Sequence, residues 1–308
     1  MPTTSTNGRQ ISDSVYNSYL EYFTRGEALL AVNDEHKDRV FKFLFGNSEN
    51  KEWTLALYNA VNGSSYDNPD DIQFNTIEDA IYLGMKNDVS FIIVDEMNLW
   101  EHQSTFNPNM PMRFFLYSAK LYEKYIAGSE YYQYSSILQP APRPKCICFY
   151  NGTAIQPERQ ILRLSEAFGG EGDIEVQVTM LNINYGKNKA LMETCEPLNE
   201  YAWLVDAIRR HQKNLKNLEV AIDTAIDEMP DEFTIKKFLL LNKAEVKGMF
   251  LTEYDQEKVL EQAVNDERRR TAMDMLMEQL PLSLIAKISK LSEDTIRSLA
   301  NRLGITVI

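Results

Sequence analysis

The sequence predicts an α/β protein in which a mixed central sheet is flanked by helices, followed by an all-helical C-terminal region. Three observations support this class. Short apolar runs with alternating polarity predict strands, and apolar residues at helical spacing predict the helices. A strand, a helix and further strands follow one another after residue 88, an order typical of a mixed sheet covered by helices. From Asn199 onward only helical patterns remain.

The length of 308 residues leaves room for a full α/β domain and a smaller second unit. We expect three regions: a poorly ordered tail at 1–29, a main domain at 30–225 and a helical region at 226–308. The tail lacks the basic and then apolar design of a signal peptide.

The charge balance is acidic, with 32 Lys and Arg against 45 Asp and Glu, which gives −13. A protein that coats DNA non-specifically is normally basic, so any contact with nucleic acid is expected to be local or metal-assisted. The apolar runs are too short to cross a bilayer, and we expect no membrane partner. Three cysteines, Cys146, Cys148 and Cys195, suit a reducing compartment, and we expect a cytoplasmic protein. Cys146 and Cys148 are expected to be buried small side chains rather than metal ligands.

The first elements are a short helical or turn-like stretch at 37–45 and an amphipathic helix at 50–61. Trp53 and Leu57 lie on the apolar stripe of this helix, and Asn62-Gly63 is expected to end it.

A β-hairpin is predicted next, because an apolar strand at 89–94 is followed by a polar turn at 95–98 and a return strand at 99–105. Such a hairpin brings together Asp88 and Glu101, which lie at its two distant ends. Paired carboxylates are ligands for hard cations such as Mg²⁺, whose remaining positions are filled by water and phosphate oxygens. An ordinary surface hairpin with charged ends explains the same spacing.

A helix at 112–126 follows Pro111, which suits the first helical position. Arg113, Lys120 and Lys124 share one stripe of this helix and are candidates for contacts with DNA phosphate, although a solvated basic face has the same pattern. Strands are predicted at 145–150 and 173–184.

The helical part opens with a heptad pattern that runs through 204–229 and ends before Pro230. It predicts either a long helix packed on its own domain or a coiled-coil homodimer. His211 falls in the seam, where a shielded, hydrogen-bonded histidine is expected.

Further helices are predicted at 234–253 and 256–279. A helix from Pro281 to Lys290 and one that Ser292 caps come last. This last pair forms either a helix-turn-helix or a helical hairpin.

The return strand of the hairpin contains the candidate catalytic residues. Alternation puts Glu101 and Gln103 on one face of the strand and His102 on the other. Glu101 can bind an ion while Gln103 holds a water by hydrogen bonds. None of the three histidines stands in a recognisable catalytic triad, and the sequence has no phosphate-binding glycine motif.

Several motifs extend this pattern in order, from about residue 33 to the C-terminus: KDRVFKFLFGN, LALYNAVNG, MKNDVSFII, EHQST, NPNMPMR, FYNG and LNEYAWLV. Together they resemble the recombination-promoting nuclease family, the YhgA-like transposases of the PD-(D/E)XK superfamily. The resemblance implies a restriction-endonuclease-like core and a bacterial DNA endonuclease that hydrolyses phosphodiester bonds with Mg²⁺ or Mn²⁺ and is linked to recombination or mobile DNA.

By position, Asp88 is similar to the metal-binding Asp of that family, and Glu101 to the acidic residue of its (D/E)XK element. An acidic residue on the first helix often completes such sites, and Glu52 is the first choice here, with Glu49 the second.

Gln103 departs from the family pattern because it stands where the family has Lys. An amide has no charge with which to stabilise the developing negative charge. Two accounts follow: the metal alone activates water while Gln103 orients it, or a cation from the next helix, Arg113 or Lys120, replaces the lysine. A third alternative is a catalytically inactive DNA- or protein-binding component of a mobile element, built on the same fold.

Overall fold

The structure, a computed structural model, describes residues 39–75, 88–215 and 217–305; for 252–263 it describes the backbone alone. The predicted tail at 1–29 lies outside this part. The described chain falls into two compact units, one ending at Glu253 and the other beginning at Tyr254. None of the described helices combines the length and the apolar composition that a membrane span requires.

The unit that ends at Glu253 is an α/β structure with a mixed sheet. Its strands are β1 (Gln73–Phe74), β2 (Val89–Ile93), β3 (Glu96–Gln103), β4 (Arg143–Tyr150), β5 (Arg159–Arg163) and β6 (Gln177–Asn182). The helices of the described chain are α1 (Arg39–Phe45), α2 (Lys51–Asn62), α3 (Met110–Gly128), α4 (Ser165–Phe168), α5 (Lys189–Thr194), α6 (Glu196–Leu215), α7 (Leu218–Glu228), α8 (Thr234–Leu241), α9 (Lys243–Met277), α10 (Leu282–Ser289) and α11 (Glu293–Leu303). Of these, α10 and α11 belong to the unit that begins at Tyr254.

The six strands form one sheet in the order β1-β2-β3-β4-β6-β5. β3, β4 and β6 run parallel, whereas β1, β2 and β5 pair antiparallel with their neighbours. The predicted class, an α/β fold with a mixed sheet flanked by helices, is therefore confirmed. The strands β1 and β5 were not predicted, because β1 has two residues and β5 is a polar edge strand.

The turn of the hairpin is shorter than predicted. Residues 96–98 belong to β3 rather than to the turn, and only Val94 and Asp95 connect the two strands. Val94 has a φ of 55°, which is uncommon for a β-branched residue, and its side chain is exposed. The polar residues that suggested a turn are instead accommodated within the strand, since Asn98 pairs with Phe91 across the hairpin.

Each face of the sheet packs on its own apolar cluster. On one face, Phe91, Trp100 and Phe149 pack with residues of α1, α2 and α6. On the other face, Leu99 and Cys148 pack with buried residues of α3. Successive residues of the hairpin strands therefore face opposite sides of the sheet and contact different sets of helices.

The heptad segment 204–229 does not form one helix, so that part of the prediction is wrong. It is divided between α6 and α7, and Asn217 caps α7 by accepting a hydrogen bond from Val220 N. The seam residues Leu204 and Ile222 are buried within the chain, where α6 and α7 pack together. The homodimer through this segment stays a prediction. His211 bonds Glu228 of α7 at 2.7 Å, so the predicted hydrogen bond is present, but it is not shielded, because half of the Glu228 side chain is exposed.

The boundary between the next two helices also differs from the prediction. The break falls at Asn242, between α8 and α9, and α9 then continues to Met277. The predicted last pair is present as α10 and α11, with Ser292 as the N-cap and Gly304 after the end of α11.

Candidate active site

The hairpin brings the two predicted carboxylates together. β2 and β3 pair Val89 with Trp100, so Asp88 lies one step beyond the last pair, next to Glu101 and His102. The backbone N–H of His102 donates a hydrogen bond of 2.8 Å to Asp88 Oδ2. Asp88 is therefore tied to β3 at the position that the sequence predicts.

Glu101 is one of the few charged side chains in the core, with only 3% of its side chain exposed. Cross-strand partners and alternate residues share a face, so Glu101 lies on the side of Leu99, which packs against α3. A carboxylate at such a depth needs charged or hydrogen-bonding partners, because desolvation penalises its ionised form.

Arg113 of α3 supplies the opposite charge. Its Nη2 lies 3.2 Å from Glu101 Oε2, and the same nitrogen donates to the Tyr117 hydroxyl at 2.9 Å. Arg113 Nε also contacts that hydroxyl, and the guanidinium carbon lies 5.8 Å from the centre of the Tyr117 ring. Glu101, Arg113 and Tyr117 thus form a partly buried polar cluster between the sheet and α3.

Gln103 joins this cluster at its solvent end. With the amide oriented so that both of its atoms meet complementary partners, Gln103 Oε1 accepts from Arg113 Nη1 at 3.2 Å. In the same orientation Nε2 donates to Thr105 O at 3.2 Å. Arg113 therefore contacts both Glu101 and Gln103, the two residues that the sequence resemblance compares with the acidic residue and the lysine of a (D/E)XK element.

The sequence did not indicate that Tyr117 belongs to this polar cluster, because Tyr117 lies on the apolar stripe of α3. Burial raises the pKa of its phenol far above the ordinary value, and the charges of Glu101 and Asp88 raise it further, while Arg113 opposes them. The phenol is therefore neutral at any physiological pH and available as a hydrogen-bond partner. The four-residue spacing from Arg113 was the signal for this contact.

The other predicted cations lie further along α3. Lys120 and Lys124 follow Arg113 by seven and eleven residues on one stripe of the helix. Lys124 donates a hydrogen bond of 3.3 Å to Asn75 O, just after β1. Neither lysine has a contact with Glu101 among those that the described residues show.

The structure does not bring Glu52 or Glu49 to the pair of carboxylates. Both side chains are exposed, Glu52 in the first turn of α2. The buried residues of α2, Leu55 and Leu57 among them, pack on the face of the sheet opposite to Glu101.

Two carboxylates of this site are potential ligands of a metal ion. Asp88 and Glu101 offer hard carboxylate oxygens, and Mg²⁺ commonly takes one or two carboxylates and completes its shell with water. Within 39–75, 88–215 and 217–305, no three His, Cys, Asp or Glu side chains lie close enough together to hold an ion. Two carboxylates leave most positions of a Mg²⁺ or Mn²⁺ shell to water, and the described residues do not supply the three or four protein ligands of a zinc site.

The opposite face of β3 carries His102, whose Nε2 lies 3.1 Å from the Tyr201 hydroxyl. Its ring stacks on Phe41 with centroids 5.0 Å apart. His102 thus connects β3 to α1 and α6 and points away from the carboxylate pair.

A second polar cluster at the carboxyl ends of the parallel strands was not predicted. Arg209 of α6 donates to Asn151 Oδ1 at 2.9 Å and to Asn184 Oδ1 at 3.0 Å, and it also bonds Asn151 O. Asn184 Nδ2 donates in turn to Asn182 Oδ1 at 2.9 Å. Asn151 directly follows β4, and Asn182 is the last residue of β6. This cluster therefore fixes the ends of both strands next to Gln103.

Comparisons of the chain with protein-family models, with curated proteins and with solved structures gave no match.

Proposed function

We propose that the chain is a metal-dependent DNA endonuclease with a PD-(D/E)XK core, of the recombination-promoting nuclease type. The observation that carries this proposal is the grouping of Asp88, Glu101 and Gln103 on one hairpin with Arg113 against them. A buried carboxylate, a second carboxylate and a cation at one place are the groups that phosphodiester hydrolysis needs.

Asp88 and Glu101 would hold Mg²⁺ or Mn²⁺, and Glu52 is no longer included in this set. The bound ion supplies charge that offsets the phosphate and lowers the pKa of water. The water gives up one proton to solvent as its oxygen bonds to phosphorus, the bond from phosphorus to the leaving sugar oxygen breaks, and the leaving oxygen takes a proton from solvent. Gln103 would hold the attacking water by a hydrogen bond from or to its amide.

Arg113 favours the account in which a cation from the next helix replaces the lysine of the motif. Its guanidinium is within 3.2 Å of both Glu101 and Gln103, and it keeps its charge at all relevant pH values. A fixed positive charge in a partly buried position stabilises developing negative charge without reorganisation. Lys120 and Lys124 remain candidates for contacts with the flanking phosphates.

One observation favours the competing proposal of an inactive DNA- or protein-binding component of a mobile element. Arg113 already neutralises Glu101 by a salt bridge that is largely shielded from solvent. A carboxylate with such a partner is stable without a metal ion, so the same cluster would also serve as a structural anchor between β3 and α3.

Plasmid cleavage with Mg²⁺ or Mn²⁺ distinguishes the two proposals. The wild type is compared with Glu101→Gln and with Glu123→Gln, a matched control on the exposed side of α3. We expect nicking or cutting by the wild type and by the control, and a loss of about 100-fold or more in Glu101→Gln. Thermal melting of each variant shows whether the loss arises from unfolding.

Equal cutting by all three proteins would point to a contaminant or to another site, and would overturn the assignment. If no protein cuts and Mn²⁺ does not raise the melting temperature of the wild type, the binding component becomes the better proposal.

A further inference from the structure

The unit that begins at Tyr254 contains a core of its own, formed by three helices. The C-terminal part of α9, α10 and α11 surround eight buried residues: Ala272, Met275, Leu276, Leu282, Ile285, Ile296, Leu299 and Ala300. Nothing in the catalytic proposal uses this core or the surface around it. The helices α10 and α11 are short, and each turns its apolar face toward this core and leaves its opposite face exposed.

The connection between α10 and α11 is a tight turn of three residues, Lys290, Leu291 and Ser292. Lys290 has a φ of 59°, and its N–H donates to Ala286 O, which ends α10 in a left-handed cap. Ser292 Oγ accepts from Thr295 N at 3.2 Å and begins α11. Two helices joined by a three- or four-residue turn, with a third helix packed on both, are typical of a helix-turn-helix.

The outer face of α11 carries polar side chains that can contact a partner. Arg297, Ser298, Asn301 and Arg302 are all exposed, while Ile296 and Leu299 face the core. In the part of the chain that the structure describes, the guanidinium groups of Arg297 and Arg302 take part in none of the ion pairs. Both arginines are therefore available for an external ligand.

The charge of this region differs from that of the whole chain. Residues 264–305 have seven Lys and Arg and six Asp and Glu, whereas the chain carries −13 overall. Lys287 and Lys290 are exposed at the end of α10 and in the turn, next to the beginning of α11. Four of the seven basic side chains, those of Lys287, Lys290, Arg297 and Arg302, lie around the turn and on α11, where a polyanion would meet them.

We propose that α10 and α11 form a DNA-binding helix-turn-helix, with α11 as the recognition helix in the major groove of duplex DNA. Arginine and asparagine are the side chains that make paired hydrogen bonds to guanine and adenine there, and Arg297 and Asn301 lie on the exposed face of α11. Lys287 and Lys290 would contact phosphates and set the position of the helix. This inference does not rest on the nuclease proposal, because binding needs neither Asp88 nor Glu101.

Two acidic residues in the first turn of α11 lead to the prediction of a variant that binds DNA more tightly. Glu293 and Asp294 are exposed there and stabilise the helix N-terminus, but their charges repel DNA phosphate. Neutralising them is expected to increase affinity for duplex DNA. A substitution that only damages the fold would not do so.

The test uses the full chain in EDTA, so that cleavage does not interfere, with a fluorescein-labelled duplex of mixed sequence read by anisotropy. The double variant Arg297→Ala/Arg302→Ala is expected to weaken binding by about tenfold or more at roughly 100 mM salt. The control Arg159→Ala/Arg163→Ala removes the same charge from the exposed edge strand β5 and is expected to stay within about twofold. Glu293→Gln/Asp294→Asn is expected to bind about threefold more tightly or better.

Three results would overturn the inference. The wild type would fail to bind the duplex, or both arginine pairs would weaken binding equally, which would indicate general electrostatic attraction. Alternatively, the α11 variant would leave DNA binding unchanged and reduce self-association in sedimentation, which would make this face a protein interface. Loss of plasmid cleavage in Glu101→Gln affects none of these measurements, so the two proposals fail separately.

Discussion

The candidate site depends on the pair of Glu101 and Arg113, because each side chain neutralises the charge of the other. A buried carboxylate without a partner is strongly unfavourable, and Arg113 Nη2 at 3.2 Å compensates it. The same contact places the guanidinium beside Gln103, where the resembled family has a lysine. In the proposed nuclease, Arg113 would therefore supply the positive charge that Gln103 lacks.

Replacing Arg113 by Met tests this pairing directly. The change leaves Glu101 buried without its cation, and we expect the free energy of unfolding to fall by about 3 kcal/mol in EDTA. Mn²⁺ is expected to restore part of this loss, because the ion would compensate the carboxylate in place of the guanidinium. Urea denaturation followed by circular dichroism measures both effects.

Arg143→Met is the control for this experiment. Its ion pair with Asp95 is exposed, with more than 60% of each side chain accessible, so we expect a change within about 0.5 kcal/mol. A loss below about 1 kcal/mol for Arg113→Met would contradict a charge-compensating role for the arginine.

The sequence was enough to predict which hairpin residues lie close together, but it was not enough to predict their partners on other elements. The spacing between Asp88 and Glu101 and the strand alternation are local properties, so the sequence located Asp88, Glu101 and Gln103. The choice between Arg113 and Lys120 depends on how α3 is rotated and placed over β3, which no pattern within the helix specifies. The same holds for Tyr117 and for the cluster of Arg209 with Asn151 and Asn184.

At the scale of elements, a single carboxylate of α6 organises the beginning of α8. Glu200 is buried and accepts three hydrogen bonds of 2.9 Å, from the backbone of Thr234 and Ile235 and from the Thr234 hydroxyl. It acts as an N-cap supplied from another helix, since α8 has no side-chain cap of its own. Its negative charge also suits the positive end of the helix.

Glu200→Ala is expected to lower the free energy of unfolding by about 2–4 kcal/mol, because it leaves buried donors without acceptors. Glu200→Gln keeps one acceptor oxygen and is expected to lose less. Glu196→Ala, an exposed position of the same helix, is the control and should change stability by less than about 0.5 kcal/mol. Chemical denaturation at neutral pH measures all three, and equal effects of Glu200→Ala and Glu196→Ala would rule out the capping role.

Element prediction succeeded where the local pattern and the packing agree. The helices α2 and α3 each turn one apolar stripe to one cluster, and the strands β2, β4 and β6 carry apolar residues on both faces of the sheet. The heptad of 204–229 also marks residues that are buried, but the chain breaks near Asn217 so that α6 and α7 pack on each other. A heptad records which residues need burial, and it does not specify whether the same chain or a second one covers them.

For the whole molecule, Cys195 offers a probe of how the unit that ends at Glu253 opens. The side chain has no exposed surface, and burial raises the pKa of its thiol to about 12. At pH 8 about one thiol in ten thousand would be ionised, and alkylation requires the thiolate. We therefore expect iodoacetamide to modify Cys195 only through unfolding, with a rate that rises with urea in parallel with the loss of circular dichroism.

Peptide mapping by mass spectrometry follows each cysteine separately, and the chain in concentrated guanidinium gives the rate for the open state. Modification of Cys195 in native buffer at the rate of the denatured chain would show that this core is not closed in solution.

The candidate site is built from a short stretch of chain, although the sheet around it is not. Asp88, Glu101, Gln103, Arg113 and Tyr117 lie within thirty consecutive residues, whereas β4, which pairs Cys148 with Glu101, comes more than forty residues after β3 begins. Closing the site itself therefore costs little chain entropy, and its carboxylates can meet Arg113 while still hydrated. We therefore expect the charges to be matched before β4 pairs with β3 and excludes water from Glu101, so that desolvation would accompany the gain of apolar contacts.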